Sequence, residues 1–320
     1  MHIISGTNVY DKILAASIVT IGNFDGVHRG HAEIFAHLKQ TSTSRGIPSV
    51  VVTFEPHPLK ILAPESAPAM ITTFEQKASL IEKSGIDYLV VVPFTKEFSR
   101  LSARDFVISV LCSPLGMQHI IIGHDYAFGR GREGNFSTLQ RLGELNGFTL
   151  EDLPPIGEEG VIFSSSLVRS AISRGDIEAA ARVLGRYYPI CGTVEHGREI
   201  GRSLGFPTAN IHTANELLPA DGVYAVKVEV HGQYSNGACS IGCNPTFAGN
   251  VRTVEVFLLD FSGQIYDQPV QVHFVQRLRS VRKFSDGQAL KAQIELDVAA
   301  ARSILESLDV KFKTYNGVPE

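Results

Sequence analysis

The sequence predicts an α/β domain with a parallel sheet, followed by an antiparallel β-barrel and a long closing helix. Three observations carry this. From Ser17 to about Gly185, short apolar runs alternate with amphipathic helical stretches, the pattern of a parallel sheet covered on both faces. After Gly185 the strand-like runs follow one another without long helices, as in an antiparallel barrel. The chain's 320 residues exceed what one hydrophobic core needs. The expected domains are 1–185 and 186–320.

In order, Val19–Ile21, Val50–Phe54, Tyr88–Phe94 and His119–Gly123 read as buried strands bounded by turn residues. Between them, Gly30–Thr41, Phe74–Ser84, Ser102–Leu111 and Ser137–Asn146 read as helices. Two further helices, Ser166–Arg174 and Asp176–Leu184, are split by Gly175 as a terminator and Asp176 as a cap. The second half offers strands at Tyr188–Val194, Gly222–Val230, Gln233–Ile241, Thr253–Asp260 and Pro269–Val275. Asp286–Leu308 reads as one amphipathic helix with Leu290, Ile294, Val298 and Ala301 on a stripe.

Composition narrows the function. The hydrophobic fraction of 44% and charged fraction of 19% are those of a globular protein. A net charge of −4 gives no basic field for nucleic acid. No apolar run approaches the ~20 residues that span a bilayer, and Ile13–Ile21 reads as a turn and a buried strand. A cytoplasmic globular protein without membrane or nucleic-acid partners is expected. Cys112, Cys191, Cys239 and Cys243 lack the spacing of a disulfide framework or a zinc site and read as small hydrophobes.

The strongest motif is Gly22-Asn23-Phe24-Asp25-Gly26-Val27-His28-Arg29-Gly30-His31. A strand enters it, glycines allow close backbone approach, and a helix N-terminus with unpaired N–H groups leaves it, which suits phosphate. His28 and His31 flank Gly30 and can hydrogen-bond a triphosphate as charge moves onto pyrophosphate. Histidines at this spacing can also cap a helix or bind a metal. Ser164, Ser165 and Ser166 with Arg169 sit where a helix begins, and read as a phosphate clamp or as a plain cap with a surface Arg.

In the second half, Gly205-Phe206-Pro207-Thr208-Ala209-Asn210 follows a glycine-rich stretch, Gly197 to Gly201. Thr208 and Asn210 lie two apart, so in an extended segment their oxygens face one side and suit a hard Mg2+. Alone, Thr-Ala-Asn reads more readily as an ordinary turn. Alternation puts Glu255 on the face opposite Val254 and Val256, as a base at a barrel mouth or as a surface acid.

Taken in order, these motifs resemble the bacterial bifunctional riboflavin kinase/FAD synthetases. The first half resembles their adenylyltransferase part through the His-x-Gly-His segment, Thr53-Phe54-Glu55-Pro56-His57-Pro58, Leu101-Ser102-Ala103, Gly123-His124-Asp125-Tyr126-Ala127-Phe128-Gly129-Arg130, and Ser164 to Arg169. The second half resembles riboflavin kinases through Pro207-Thr208-Ala209-Asn210, Gly222-Val223-Tyr224, Ile241 to Phe247 and Thr253-Val254-Glu255-Val256. Departures are Tyr126 for Phe, Ser166 for Thr, Ser240 for Asn, and Ser280-Val281 for an acidic pair.

The resemblance implies ATP-dependent phosphorylation of riboflavin to FMN, releasing ADP, then adenylyl transfer from ATP to FMN, giving FAD and pyrophosphate. It implies catalytic roles for His28, His31, Arg169 and Glu255, with Glu255 as base for the riboflavin hydroxyl. ATP contacts are implied for Gly22, Asn23, Phe24, Gly30, Ser164, Ser165, Ser166, Gly201 and Pro207. Flavin contacts are implied for Asp25, His57, Asp125, Phe128, Arg279 and Phe284, and Mg2+ ligands for Thr208 and Asn210. Self-association is expected to be weak at most. Two alternatives stay open: an adenylyltransferase whose barrel only binds flavin, and a non-catalytic flavin-responsive protein.

Overall fold

A computed structural model describes residues 1–123, 126–196, 205–246 and 249–308. The chain forms two compact units: Met1–Ala69 with Phe74–Ser164, and Met70–Thr73 with Ser165 onward.

In the first unit, β1 (His2–Ser5), β2 (Ser17–Ile21), β3 (Ser49–Glu55), β4 (Tyr88–Pro93), β5 (Met117–Gly123) and β6 (Thr149–Leu153) pair in parallel, in the order β1-β4-β3-β2-β5-β6. The central strands are buried along most of their length because both faces are covered. Alternate residues go to opposite sides. Val19, Val50, Val52, Val90 and Ile120 meet α4 (Ala103–Phe106), its π-helical continuation Val107–Cys112, and α6 (Phe136–Asn146). Ile18, Val51, Leu89 and Ile121 meet Phe35 and Leu38 of α1 (Arg29–Arg45) and Ala78 and Ile81 of α3 (Phe74–Lys83). The short helices α2 (Pro58–Leu62) and α5 (Ser113–Leu115) and a two-stranded hairpin, β7 (Gly157–Glu158) with β8 (Val161–Ile162), complete the unit.

The strand order reverses at β2, with β3 on one side and β5 on the other. A crevice for ligands opens beyond the carboxyl ends of strands at such a switch point. The Gly22–His31 segment leaves β2 at that end.

In the second unit, β9 (Tyr188–Glu195), β10 (Thr208–Thr213), β11 (Gly222–Val230), β12 (Gln233–Thr246), β13 (Gly249–Leu258) and β14 (Pro269–Arg279) close an antiparallel barrel, in the order β10-β13-β12-β11-β14-β9. Tyr224, Cys239, Ile241, Val254, Val256 and Phe274 are buried along it. The closing helix α9 (Gly287–Glu306) lays Ala301 and Leu305, with Val298 beside them, on Ala225, Ala238 and Val275. Asp286 caps it by accepting from the Ala289 N–H at 2.8 Å. In the expected stripe Ala301 is buried, while Leu290, Ile294 and Val298 are partly covered.

The two helices before the barrel, α7 (Ser165–Arg174) and α8 (Ile177–Leu184), group by contacts with the second unit, although the sequence suggested a boundary at 185. The reason is local bonding. The Ala220 N–H donates to the Ile172 carbonyl at 3.2 Å, and Arg277 donates to the Arg174 carbonyl at 3.3 Å. Met70–Thr73 joins the same unit because the buried Tyr188 hydroxyl reaches the Ile71 and Leu217 carbonyls, at 3.2 and 2.7 Å.

Candidate functional site

The segment after β2 is built around strained backbone. Phe24 (φ 49°), Gly26 (φ 80°) and Val27 (φ 39°) all take the left-handed region, which costs a β-branched residue most. Burial of Phe24, Asp25 and Val27 holds this shape. The Phe24 ring packs edge-on against Phe35 at 4.9 Å and His31 at 5.2 Å. A Cβ at Gly22 would meet the Phe24 ring at 3.0 Å, so a glycine is needed where the chain turns back over itself.

His28 is the N-cap residue of α1, and Arg29 opens the helix. His28 and His31 stack with ring centroids 3.6 Å apart and planes 23° apart. A Cβ at Gly30 would lie 3.0 Å from the His28 ring, so glycine lets the imidazole fold across the helix start. Both expected histidines therefore meet at one helix N-terminus, where amide N–H groups and ring nitrogens suit anionic oxygen. Arg29, between them, bonds Glu158 at 2.8 Å and lies 4.7 Å over the Phe163 ring.

Sequence reasoning missed the residue beneath this loop. Lys77 of α3 is buried, with its Nζ 3.4 Å from Thr53 Oγ1 and 3.7 Å from Glu55 Oε2. Thr53 in turn donates to the Asn23 carbonyl at 3.2 Å. Burial pushes the Lys77 ammonium below its usual pKa, and the charges of Glu55 and Asp25 work against that. A lysine on an amphipathic helix carries no sequence signal that it points inward.

His57 caps α2, its Nδ1 accepting from the Leu59 N–H at 3.2 Å, with Pro58 in the first turn. Phe128 is buried in a bridge to Gly134, stacks on Tyr126 at 5.5 Å, and adjoins Phe106 at 5.7 Å. Phe54, Phe94 and Phe98 extend the aromatic group. Burial drives the Tyr126 hydroxyl pKa strongly upward. Asp125 lies outside the described residues, as does Gly201 of the second half. Ser165 and Ser166 open α7 directly after Ser164, and Arg169 stands half-buried one turn on.

In the barrel, register decides what meets. Asn210 of β10 pairs directly with Glu255 of β13, and Glu255 with Ser240 of β12. Residues directly opposite in an antiparallel ladder share a face. Thr208, two residues from Asn210, pairs with Phe257 on that same face. Thr208, Asn210 and Glu255 are half-buried, while Val254 and Val256 point the other way into packed apolar residues. Pro207 is exposed, and Phe206 beside it packs edge-on against Phe257 at 5.3 Å.

Arg279 and Phe284 stand further round the wall. The lateral row runs Asn210, Glu255, Ser240, Val223, Arg279, and the other way round the closed barrel β9 alone separates β14 from β10. Its guanidinium forks onto the buried Asp297 of α9 at 2.7 and 2.9 Å and lies 5.7 Å over the Phe284 ring. Asp297 also accepts from Gln293 at 2.7 Å.

The FAD synthetase family matches residues 11–167, and the riboflavin kinase family matches residues 184–305. The bifunctional riboflavin kinase/FMN adenylyltransferase of Pseudomonas fluorescens is 42% identical over 90% of this chain and 92% of its own length. The chain belongs to the bifunctional riboflavin kinase/FMN adenylyltransferases. Relatives of the same description from Haemophilus influenzae and Escherichia coli are 37% and 38% identical, covering 96% and 89% of this chain and 100% and 91% of their own lengths. A crystal structure described as a macrolide-efflux protein from Streptococcus pneumoniae superposes with a TM-score of 0.87 at 30% identity, over 94% of this chain and 99% of that one. Efflux is said of that protein; among the described residues here, no helix is long and apolar enough to cross a membrane. The enzyme thus phosphorylates riboflavin and adenylylates FMN, with ATP as co-substrate.

Proposed function

We propose that the two reactions divide near residue 185, each using residues of its own motif set. In the first, an FMN phosphate oxygen attacks the α-phosphorus of ATP and pyrophosphate leaves. A phosphate needs no proton removed at neutral pH, so positioning and charge stabilisation suffice. His28 and His31 donate to the triphosphate, over the glycine loop Gly22–Gly30 and the start of α1. The stacked pair at a helix N-terminus is the observation that carries this assignment. Ser164, Ser165, Ser166 and Arg169 are assigned to the phosphates on the family motif, and Asp25, His57 and Phe128 to the flavin.

In the second, the riboflavin 5'-hydroxyl attacks the γ-phosphorus of ATP and ADP leaves. An alcohol is a poor nucleophile until its proton is taken, and Glu255 is the carboxylate suited to take it. Its cross-strand pairing with Asn210 supports this role. The hydroxyl of Thr208 and the amide oxygen of Asn210 are neutral, hard donors two apart on one strand, which fits a Mg2+ that relies on phosphates for its remaining ligands. Bound there, the ion would draw charge from the triphosphate. Arg279 and Phe284 are assigned to the flavin, Pro207 to the nucleotide. A cytoplasmic location, weak self-association, and no membrane or nucleic-acid partner complete the reading.

The test is a chromatographic time course with riboflavin, ATP and Mg2+. The intact enzyme yields FMN and then FAD. His31→Ala slows FAD formation by about two to three orders of magnitude, the scale of one lost transition-state donor, and lets FMN accumulate. Undiminished FAD formation in that variant would remove the histidine from the mechanism.

A further inference from the structure

Two carboxylates stand where two anionic substrates must meet. Asp25 lies buried within the strained loop that follows β2, and Glu55 closes the neighbouring strand β3. Both oppose the approach of a flavin phosphate to a nucleotide triphosphate. Lys77, buried under the loop, is a cation within reach of Glu55 and felt electrostatically by Asp25. It also touches Thr53, whose hydroxyl holds the Asn23 carbonyl, so the ammonium is tied to the loop backbone through one intermediate.

We propose that Lys77 is a positioning residue of the adenylyl-transfer site: it balances the Asp25–Glu55 charge and anchors the Gly22–His31 loop through Thr53, so that the loop accepts an anionic flavin. The proposal rests on placing adenylyl transfer at this loop. Lys77 acts through its neighbours and takes no part in bond making. Burial pulls the ammonium pKa down while the charges of Glu55 and Asp25 oppose that shift, and the same burial keeps the interaction between these groups strong.

The charge-balance role differs from mere packing in what restores it. Lys77→Met keeps the volume and removes the charge. At a separation of about 8 Å and an effective dielectric of about 20, the loss of this one positive charge raises KM for FMN by roughly 10- to 30-fold. Adding Glu55→Gln to that variant removes one repelling charge and returns most of the loss, a coupling a packing defect would not show. Riboflavin phosphorylation by the same chain, unchanged throughout, reports that the protein is folded. An unaltered KM for FMN in Lys77→Met, or a double variant no better than the single one, overturns the proposal. If Lys77→Met does not fold, Glu55→Gln alone decides: charge balance requires its KM for FMN to fall, and an equal or higher KM refutes it. His31→Ala run in parallel separates the two layers. Loss of FAD formation there with Lys77→Met unaffected removes Lys77 only, whereas an unaffected His31→Ala removes the site assignment itself.

Discussion

Glu255→Gln separates chemistry from stability within one residue. The side chain sits half-buried on β13, paired with Asn210 and Ser240, over a layer of packed Val254, Val256 and Cys239 that the change does not touch. Glutamine has the same shape, so the stability change is confined to cross-strand pairing, about 0.2–1 kcal/mol. The barrier carries the larger effect. A positioned base contributes about 10²–10⁴-fold, and a central loss of 10³ corresponds to about 4 kcal/mol. The assay supplies either riboflavin or FMN with ATP and Mg2+ and separates the flavins by chromatography. FMN formation from riboflavin falls about a thousandfold, while FAD formation from supplied FMN keeps its normal rate. FMN appearing at the intact enzyme's rate would refute the base assignment. An equal fall in both steps would show a folding defect and refute the reasoning about the strand.

Other outcomes follow from the same geometry. Gly30→Ala brings a methyl to 3.0 Å from the His28 ring; a displacement of a few tenths of an ångström lowers FAD formation by about tenfold and leaves riboflavin phosphorylation intact. Asp297→Asn breaks the fork from Arg279, whose side chain is 20% exposed against 8% for Asp297. The second unit loses about 2–3 kcal/mol in urea melts, less than the 3–5 of a fully buried pair because Arg279 keeps some solvent. Asp87 holds β4 to α1 and β3 by bonding Lys39 at 2.8 Å and the Ser49 N–H and hydroxyl at 2.9 and 2.6 Å. Burial would raise its pKa, but these bonds outweigh it and hold the carboxyl below its usual value. The stability it adds is therefore full above the unfolded pKa and is lost as pH falls through the lower folded one. Asp87→Asn flattens the stability curve of the first unit below about pH 4, measured by denaturation at stepped pH.

What was legible in the sequence was what local chemistry dictates. Val50–Val52 and Leu89–Val92 are apolar at every position because both faces of a parallel sheet are covered, so their runs announce themselves. Gly175 (φ 76°) and the Asp176 cap end one helix and begin the next as their chemistry requires. The glycine loop was readable because glycines and histidines in fixed spacing serve the backbone geometry that phosphate binding needs. Among the strands the sequence left unmarked, β10 carries a motif that reads as readily as a turn, and β1 and β6 are the edges of the parallel sheet. His2–Ser5 is largely exposed and Thr149–Leu153 carries Glu151 and Asp152, because an edge strand faces water and gains from charge.

The chain order determined which chemical groups this enzyme owns and which short stretches are helix, strand or turn. Only the tertiary structure decided which of them meet. Asn210 and Glu255 share a face through strand register, and a slip of one residue would send Glu255 to the packed side. Lys77 lies beneath Thr53 because α3 packs across the sheet, a distance in space that no spacing in sequence encodes. Local propensity is a property of neighbours in the chain, whereas an active site is made by neighbours in space.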